Sequence, residues 1–273
     1  MLAAVALGAP PTATTAMQAA LAATYVTTIG QFLTIDHRMV QRFDKGARKI
    51  DFLAWFRVAL PIFLIEGFGF LLTNSDVVVV GLYLPPDQVG IYFAAAKTMA
   101  LVQFVYFAVK AGATPQFSAM MAAGDKASLA SFAGTAARWS FWPSLAVGGL
   151  VLILGNVLLS LFGAAFTAGY HLMVILFAGN MAKALVGPAE MLLTMAGRQK
   201  LCVLLYVAAL STNIGLNVTL IPIYGLAGAA IATAAATMVE AILLHITVRR
   251  ALGIVVFAFA DPLSLMNKTK GAA

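Results

Sequence analysis

Charged residues are scarce in this chain, and apolar residues are abundant. Asp, Glu, Lys and Arg make up only 10% of the 273 residues, whereas 62% are hydrophobic and the mean hydropathy is +0.95. A soluble domain carries about 25% charged residues, so the composition excludes a soluble globular protein. The net charge of +7 does not indicate nucleic-acid binding, because the basic residues lie in loops between apolar runs, where they orient a membrane protein.

Cysteine and the motifs of several enzyme classes are also missing or nearly so. The single cysteine, Cys202, excludes an intrachain disulfide. The sequence has no phosphate-binding G-x-x-x-x-G-K-[ST] loop, no H-E-x-x-H metal site and no G-x-S-x-G nucleophile elbow. The three histidines, His37, His171 and His245, fall on different predicted elements. We therefore expect no metal, no cofactor and no enzyme activity.

Long apolar runs dominate what remains and predict an all-α membrane protein with about seven transmembrane helices. The predicted spans are 12–35, 53–84, 89–109, 139–163, 171–196, 201–221 and 226–248. The third span is expected to end at Lys110, because Pro115 follows and breaks a helix, and residues 116–137 would form an interfacial segment. The apolar run 253–260 is too short to span, so it is either an interfacial stub or the opening of another helix.

The distribution of basic residues predicts the orientation of these spans. The turns at 85–88, 163–170 and 222–225 contain no Lys or Arg, whereas the alternate loops do. Their basic residues are Arg38, Arg42, Lys45, Arg48, Lys49, Lys110, Lys126, Arg138, Arg198, Lys200, Arg249 and Arg250. By the positive-inside rule, these loops are cytoplasmic, which predicts that the N-terminus is outside and the C-terminus is in the cytoplasm.

Ionisable residues inside the apolar spans are the first candidates for a functional site, since a charge there costs about 2.5–3.5 kcal/mol on insertion scales. Asp76 lies about 12 Å before Leu84, and Lys97 lies about 13 Å beyond Gln88 on the next helix. Their matched depth predicts a pair, which would act either as a structural latch or as a gate. Glu66 lies about 15 Å further toward the cytoplasm.

The fifth span predicts a polar cavity. Lys183 and Glu190 are seven residues apart and share one helix face, with Asn180 in the same span. Pro188 is expected to kink the helix between them and to free a backbone carbonyl, which in a membrane survives only beside protein or a water-filled cavity. The alternative is that Lys183 pairs with another helix for structure alone.

Other polar residues in the last two spans receive structural interpretations. Asn213 and Asn217 share one helix face and are expected to form interhelical hydrogen bonds. Glu240 and His245 are expected to reach the membrane interface near the inner end of the last span.

Several segments in this order resemble the C-terminal half of polysaccharide (O-antigen and exopolysaccharide) flippases. These belong to the multidrug/oligosaccharidyl-lipid/polysaccharide superfamily. The segments are SDVVVVGLYLPPDQVGIYFAAAK, TPQFS, LFGAAFTAGYHLMVILFAGN, GPAEMLLTMAGRQK and NVTLIPIYGLAGAAIATAAAT followed by Arg249-Arg250. The resemblance covers about residues 50–250.

The resemblance implies one six-helix flippase lobe plus one preceding helix. Residues 1–35 would contain the last helix of a truncated N-terminal lobe, 36–51 a basic cytoplasmic linker, 52–250 the six-helix C-terminal lobe and 251–273 a cytoplasmic or interfacial tail. Flippases of this family have two lobes facing a central cavity. A second copy of the chain or a separate N-terminal lobe would therefore complete the transporter.

The resemblance also implies a function in a bacterial inner (cytoplasmic) membrane. The chain would help to flip lipid-diphosphate-linked oligosaccharide for polysaccharide export by alternating access. Lys97, Lys183 and Asn180 would bind the substrate, and Asp76, Glu66 and Glu190 would serve gating or coupling. One alternative is a MATE-like cation or drug exporter that depends on Asp76 and Glu66. The other is a truncated fragment or assembly partner that does not itself transport.

Overall fold

A computed structural model of the chain describes residues 13–42 and 50–260, which divide into two compact units. One unit extends to Phe52 and contains helix α1, Ala13–Arg42, and the other begins at Leu53. Helix α1 overlaps the first predicted span, 12–35, and continues about two turns beyond it. Residues 1–12, the basic residues Lys45, Arg48 and Lys49 of the predicted linker, and residues 261–273 of the predicted tail lie outside the described residues.

The helices that follow α1 fold into a helical bundle, and the described ranges 13–42 and 50–260 contain no strand. They are α2 (Phe52–Tyr83), α3 (Pro86–Met99), a 3₁₀ turn (Ala100–Val102), α4 (Gln103–Ala123), α5 (Lys126–Ile153), α6 (Gly155–Ser160), a second 3₁₀ turn (Ala164–Gly169), α7 (Tyr170–Val186), α8 (Ala189–Met195) and α9 (Gln199–Leu252). Within the described residues, five stretches are long and apolar enough to cross a membrane: Phe52–Tyr83, Pro86–Ala123, Lys126–Ile153, Ala164–Val186 and Gln199–Leu252. The all-α membrane fold is thus confirmed, while the count of seven spans stays a prediction.

The 54-residue helix α9 is two antiparallel arms rather than one rod. A straight helix of that length would measure about 80 Å, far more than the ~30 Å hydrocarbon layer. Gly225, with φ 57° and ψ −135°, interrupts it. Beyond the turn, Asn213 Nδ2 lies 3.4 Å from Thr233 Oγ1, although 20 residues of straight helix would separate them by about 30 Å. The arms, 199–224 and 226–252, coincide with the sixth and seventh predicted spans.

The predicted end of the third span at Lys110 is wrong. Pro115 lies inside α4, which continues to Ala123, so the interfacial segment expected at 116–137 does not form. Membrane helices tolerate proline where neighbouring groups satisfy the freed backbone, and the Thr114 hydroxyl donates to the Lys110 carbonyl at 2.6 Å. Helix α4 instead ends at Gly124, whose left-handed φ of 69° suits glycine.

The α4–α5 turn has a recognisable cap. The Asp125 carboxylate accepts a hydrogen bond from the Ser128 backbone N–H at 3.0 Å and so caps the N-terminus of α5. Hydrogen bonding from Ser128 lowers the pKa of this fully exposed carboxyl below its usual value. The chain therefore reverses between α4 and α5 at Gly124 and Asp125.

The kink predicted at Pro188 is a complete break between α7 and α8. Helix α7 ends at Val186, and Gly187 adopts φ 58° and ψ −152° before α8 begins at Ala189. The apolar run 253–260 is not helical, so it does not open a further helix within the described residues, and the interfacial stub stays a prediction. The run folds back on this break, where the Ala258 N–H donates to the Leu185 carbonyl at 2.9 Å. One carbonyl freed by the break is thereby satisfied.

Small residues allow close packing of α7 against the second arm of α9. A Cβ atom at Gly179 would lie 2.8 Å from the Ala234 Cα, so the two helices approach at backbone distance there. The buried core includes Leu172, Met173 and Leu176 of α7 and Ala229 and Ala230 of the second arm. This contact fixes the depth of α7 relative to α9, and with it the relative positions of their polar residues.

We predict that Gly187→Ala lowers the free energy of unfolding by at least about 1–3 kcal/mol, because the backbone conformation there is strained for any side chain. The added methyl would also lie 2.7 Å from the Ala137 Cα. Gly149→Ala is the matched control, since no atom lies within 4 Å of its added Cβ and alanine favours a helix. Thermal unfolding in detergent, followed by circular dichroism, measures both; equal midpoints for the two variants would contradict the prediction.

Candidate functional site

All six residues predicted to form the site line one cavity of about 340 Å³ in the second unit. They are Glu66, Asp76, Lys97, Asn180, Lys183 and Glu190. Their helices α2, α3, α7 and α8 are joined there by α4 and by both arms of α9. The cavity also contains Lys110 and Glu240, which the sequence analysis assigned to a loop and to the membrane interface.

Glu240 forms an ion pair with Lys183 and does not reach the interface as predicted. The Lys183 Nζ lies 2.8 Å from Glu240 Oε1, and the Glu240 side chain is 1% exposed. The rings of Tyr106 and Tyr206 flank the Lys183 ammonium, with centroids 5.4 Å and 5.9 Å from Nζ, a distance at which cation–π attraction acts. Lys183 therefore pairs with another helix and also lines the cavity, and its functional role stays a prediction.

Lys110 joins three helices through two carboxylates. Its Nζ lies 2.7 Å from Glu190 Oε1 on α8 and 3.3 Å from Glu66 Oε1 on α2. The Tyr206 hydroxyl donates a hydrogen bond to the other oxygen of Glu190. Glu190 is buried, but the Glu66 side chain is 63% exposed. Because α4 continues past Pro115, Lys110 lies in the middle of a helix that lines the cavity and not in the predicted cytoplasmic loop.

The predicted pair between Asp76 and Lys97 does not form. Asp76 accepts hydrogen bonds from the Tyr92 hydroxyl at 2.6 Å, the Thr233 hydroxyl at 3.2 Å and the Val77 N–H at 2.8 Å. Tyr92 and Lys97 are five residues apart on α3, which rotates their side chains about 140° from each other. Because Tyr92 faces Asp76, Lys97 faces another part of the cavity. Matched depth alone does not specify the helix face.

Lys97 is held by neutral groups. Its Nζ donates to Asn74 Oδ1 at 2.9 Å and lies 5.4 Å from the centre of the Phe93 ring. Among the residues that the structure describes, the ion pairs of the cavity involve Lys110 and Lys183 but not Lys97. Lys97 is therefore the cavity cation that remains available to an anionic ligand.

The polar residues around Asp76 link α2 to both arms of α9. The Ser75 hydroxyl donates to Asn213 Oδ1 at 3.2 Å, and Asn217 Nδ2 donates to the same oxygen at 3.1 Å. Asn213 thus forms the interhelical hydrogen bonds predicted for it, whereas Asn217 donates to Asn213 on the same helix. Within 13–42 and 50–260, no group of three His, Cys, Asp or Glu side chains could hold a metal ion.

Two comparisons of the sequence with known proteins gave matches. Residues 1–121 match a family described as "Polysaccharide biosynthesis protein". A Haloferax volcanii protein named "Probable low-salt glycan biosynthesis flippase Agl15" is 26% identical over 183 residues. Both matches are to proteins of polysaccharide or glycan biosynthesis.

The match to the Haloferax volcanii protein covers a larger share of this chain than of that protein. The alignment covers 64% of this chain but 37% of the Haloferax volcanii protein, so the chain spans little more than a third of that relative's length. No solved structure matches the chain.

We predict strong coupling between Lys110 and Glu190 in a double-mutant cycle. Lys110→Met alone should lower the free energy of unfolding by about 3–5 kcal/mol, because it leaves the buried Glu190 carboxylate without a cation. Glu190→Gln should cost less, because Lys110 keeps Glu66 as a partner. The double variant should lose much less than the sum of the two. Urea or thermal unfolding in detergent measures the coupling.

Lys97→Met combined with Glu190→Gln is the control for that cycle, since the described structure has no ion pair between these residues. Their effects should add with little coupling. Equal coupling in the two cycles would show that the Lys110–Glu190 contact is not specific.

Proposed function

We propose that the chain helps to move a lipid-diphosphate-linked oligosaccharide across a bacterial cytoplasmic membrane by alternating access. The observation that carries this proposal is Lys97, a cation in a membrane-embedded cavity whose partners are an amide and an aromatic ring. An anionic head group would supply the missing countercharge. The match of residues 1–121 to a polysaccharide biosynthesis family and the similarity to a protein named as a glycan biosynthesis flippase support a glycan-linked cargo.

The diphosphate would bind first at Lys97 through charge-assisted hydrogen bonds. The Asn180 and Asn74 amides line the same cavity and can donate to phosphate or sugar oxygens. Lys183 would provide the second cationic contact. The cavity volume of about 340 Å³ suits a head group rather than a whole lipid-linked oligosaccharide, so the sugar and lipid chains would extend through its opening.

Asp76, Glu66 and Glu190 would act in gating or coupling. Asp76 connects α2 to α3 and α9 through Tyr92 and Thr233. Glu66 and Glu190 share Lys110, yet one is largely exposed and the other is buried. A shift of Lys110 between the two carboxylates would change the contact between α2 and α8, which is the kind of two-state element that alternating access needs.

A complete transporter would need a second lobe facing this cavity. We propose that a second copy or a separate N-terminal lobe supplies it, with 52–250 as one six-helix lobe, 1–35 contributing a helix of the other, 36–51 as a cytoplasmic linker and 251–273 as a tail. The N-terminus would be outside and the C-terminus in the cytoplasm. Arg249 and Arg250 at the end of α9 support that orientation.

Lys97→Ala should weaken binding of farnesyl methyl diphosphate by about 10–100-fold, the effect of losing one hydrogen bond to a charged group. This diester is a suitable probe because, like a lipid-linked sugar, it has two ionised phosphates and one lipid chain. Binding to the purified chain in detergent can be measured by calorimetry. Lys126→Ala, an exposed lysine at the start of α5, is the matched control and should bind as the unmodified chain does.

Unchanged binding in both Lys97→Ala and Lys183→Ala would overturn the assignment of the lysines to the head group. The cation-exporter alternative predicts the opposite pattern. In that case Asp76→Asn and Glu66→Gln would abolish binding of a cationic dye, and the lysine variants would retain it.

A further inference from the structure

Glu240 is the most isolated carboxylate of the cavity. Its Oε1 lies 2.8 Å from Lys183 Nζ, and its Oε2 has no hydrogen-bond donor among the described residues. The side chain is 1% exposed, so water does not compensate. Lys183 is therefore the only group in the described structure that neutralises this buried charge.

Lys183 does not depend on Glu240 to the same degree. Its side chain is 28% exposed and lines the cavity. Tyr106 and Tyr206 present their rings to its ammonium group. A ligand entering the cavity could thus take over Lys183 while the cation keeps its aromatic neighbours.

From this asymmetry we propose that Glu240 is a resident anion that competes with the substrate's diphosphate for Lys183, and that it takes up one proton when the diphosphate displaces it. This inference rests on the proposed function, because it requires an anionic ligand in the cavity. It makes Glu240 a residue that sets the anion affinity of the site.

The proton follows from the cost of burial. A carboxylate enclosed in apolar surroundings and deprived of its cation binds a proton, since an unpaired buried charge is far more costly. Other titratable groups around Glu240 do not replace Lys183. Those that line the same cavity are Tyr106 and Lys110 of α4, Glu190 of α8, Tyr206 of the first arm of α9, Glu66 and Asp76 of α2, and Lys97 of α3, which donates to Asn74. Of these, Lys110 is already held by Glu190 and Glu66.

The second ion pair is a poorer candidate for such an exchange. If a ligand displaced Glu190 from Lys110, the Tyr206 hydroxyl would still donate to Glu190. Lys110 also has Glu66 as a second carboxylate at 3.3 Å. Ligand binding there would meet two competing anions and would not force a proton onto Glu190.

The test measures the affinity of the purified chain for farnesyl methyl diphosphate from pH 6 to pH 8. Uptake of one proton makes binding about tenfold tighter for each unit that the pH falls, because the diester itself stays ionised throughout. In Glu240→Gln, we expect binding at pH 8 to be at least about tenfold tighter than in the unmodified chain and independent of pH. Asp87→Asn, which removes an exposed carboxylate at the start of α3, is the control and should keep the pH dependence.

A second measurement does not depend on the folding of a variant. Calorimetry of the unmodified chain in buffers of different ionisation enthalpy should give about one proton taken up per diester bound. Binding without proton uptake, or equal affinities for the unmodified chain and a folded Glu240→Gln, would overturn the role of Glu240 and leave the proposed function standing. Absence of diester binding in the unmodified chain and in Glu240→Gln would overturn both.

Discussion

The structure depends on the pairing of charged side chains in a cavity between apolar helices. Four carboxylates, those of Glu66, Asp76, Glu190 and Glu240, share one cavity with Lys97, Lys110 and Lys183. Inside apolar helices each unpaired charge would cost several kcal/mol. The chain departs from regular helix where this pairing requires it. The break at Gly187 ends α7 and places Glu190 on a separate helix, α8. The reversal at Gly225 brings the second arm of α9 back along the first, so that Glu240 meets Lys183.

The apolar runs and ionisable residues of the sequence predicted much of this arrangement. Hydropathy specified the membrane helices, and the cost of charge in a membrane singled out five ionisable residues that, together with Asn180, all line the cavity. Lys110 was missed because Pro115 was interpreted as a helix end. Glu240 was missed because its nearness to the predicted cytoplasmic end of the last span was taken to imply exposure. The Asp76–Lys97 pair was wrong for a different reason. Helical rise gives depth from sequence alone, but the direction of a side chain around its helix depends on tertiary packing.

The pairing of charges also suggests how the cavity could bind the proposed anionic cargo. Two lysines carry carboxylate partners, and Lys97 carries none in the described structure. Under the proposed function, such a site would attract an anion at Lys97 while Lys110 and Lys183 remain paired with their carboxylates. Entry of a diphosphate would then exchange internal carboxylates for phosphate oxygens. That exchange would alter contacts between helices, and alternating access requires such differential contacts.

The most direct measurement of the central claim is photo-crosslinking with a farnesyl methyl diphosphate that carries a diazirine beside the diphosphate. Mass spectrometry of the digested protein would locate the modified residues. The account predicts crosslinks on α2 and α3 near Asn74 and Lys97, which an excess of unlabelled diester removes. Crosslinks confined to outward-facing residues such as Trp139 and Trp142 of α5, which are 66% and 55% exposed, and insensitive to competition, would contradict it.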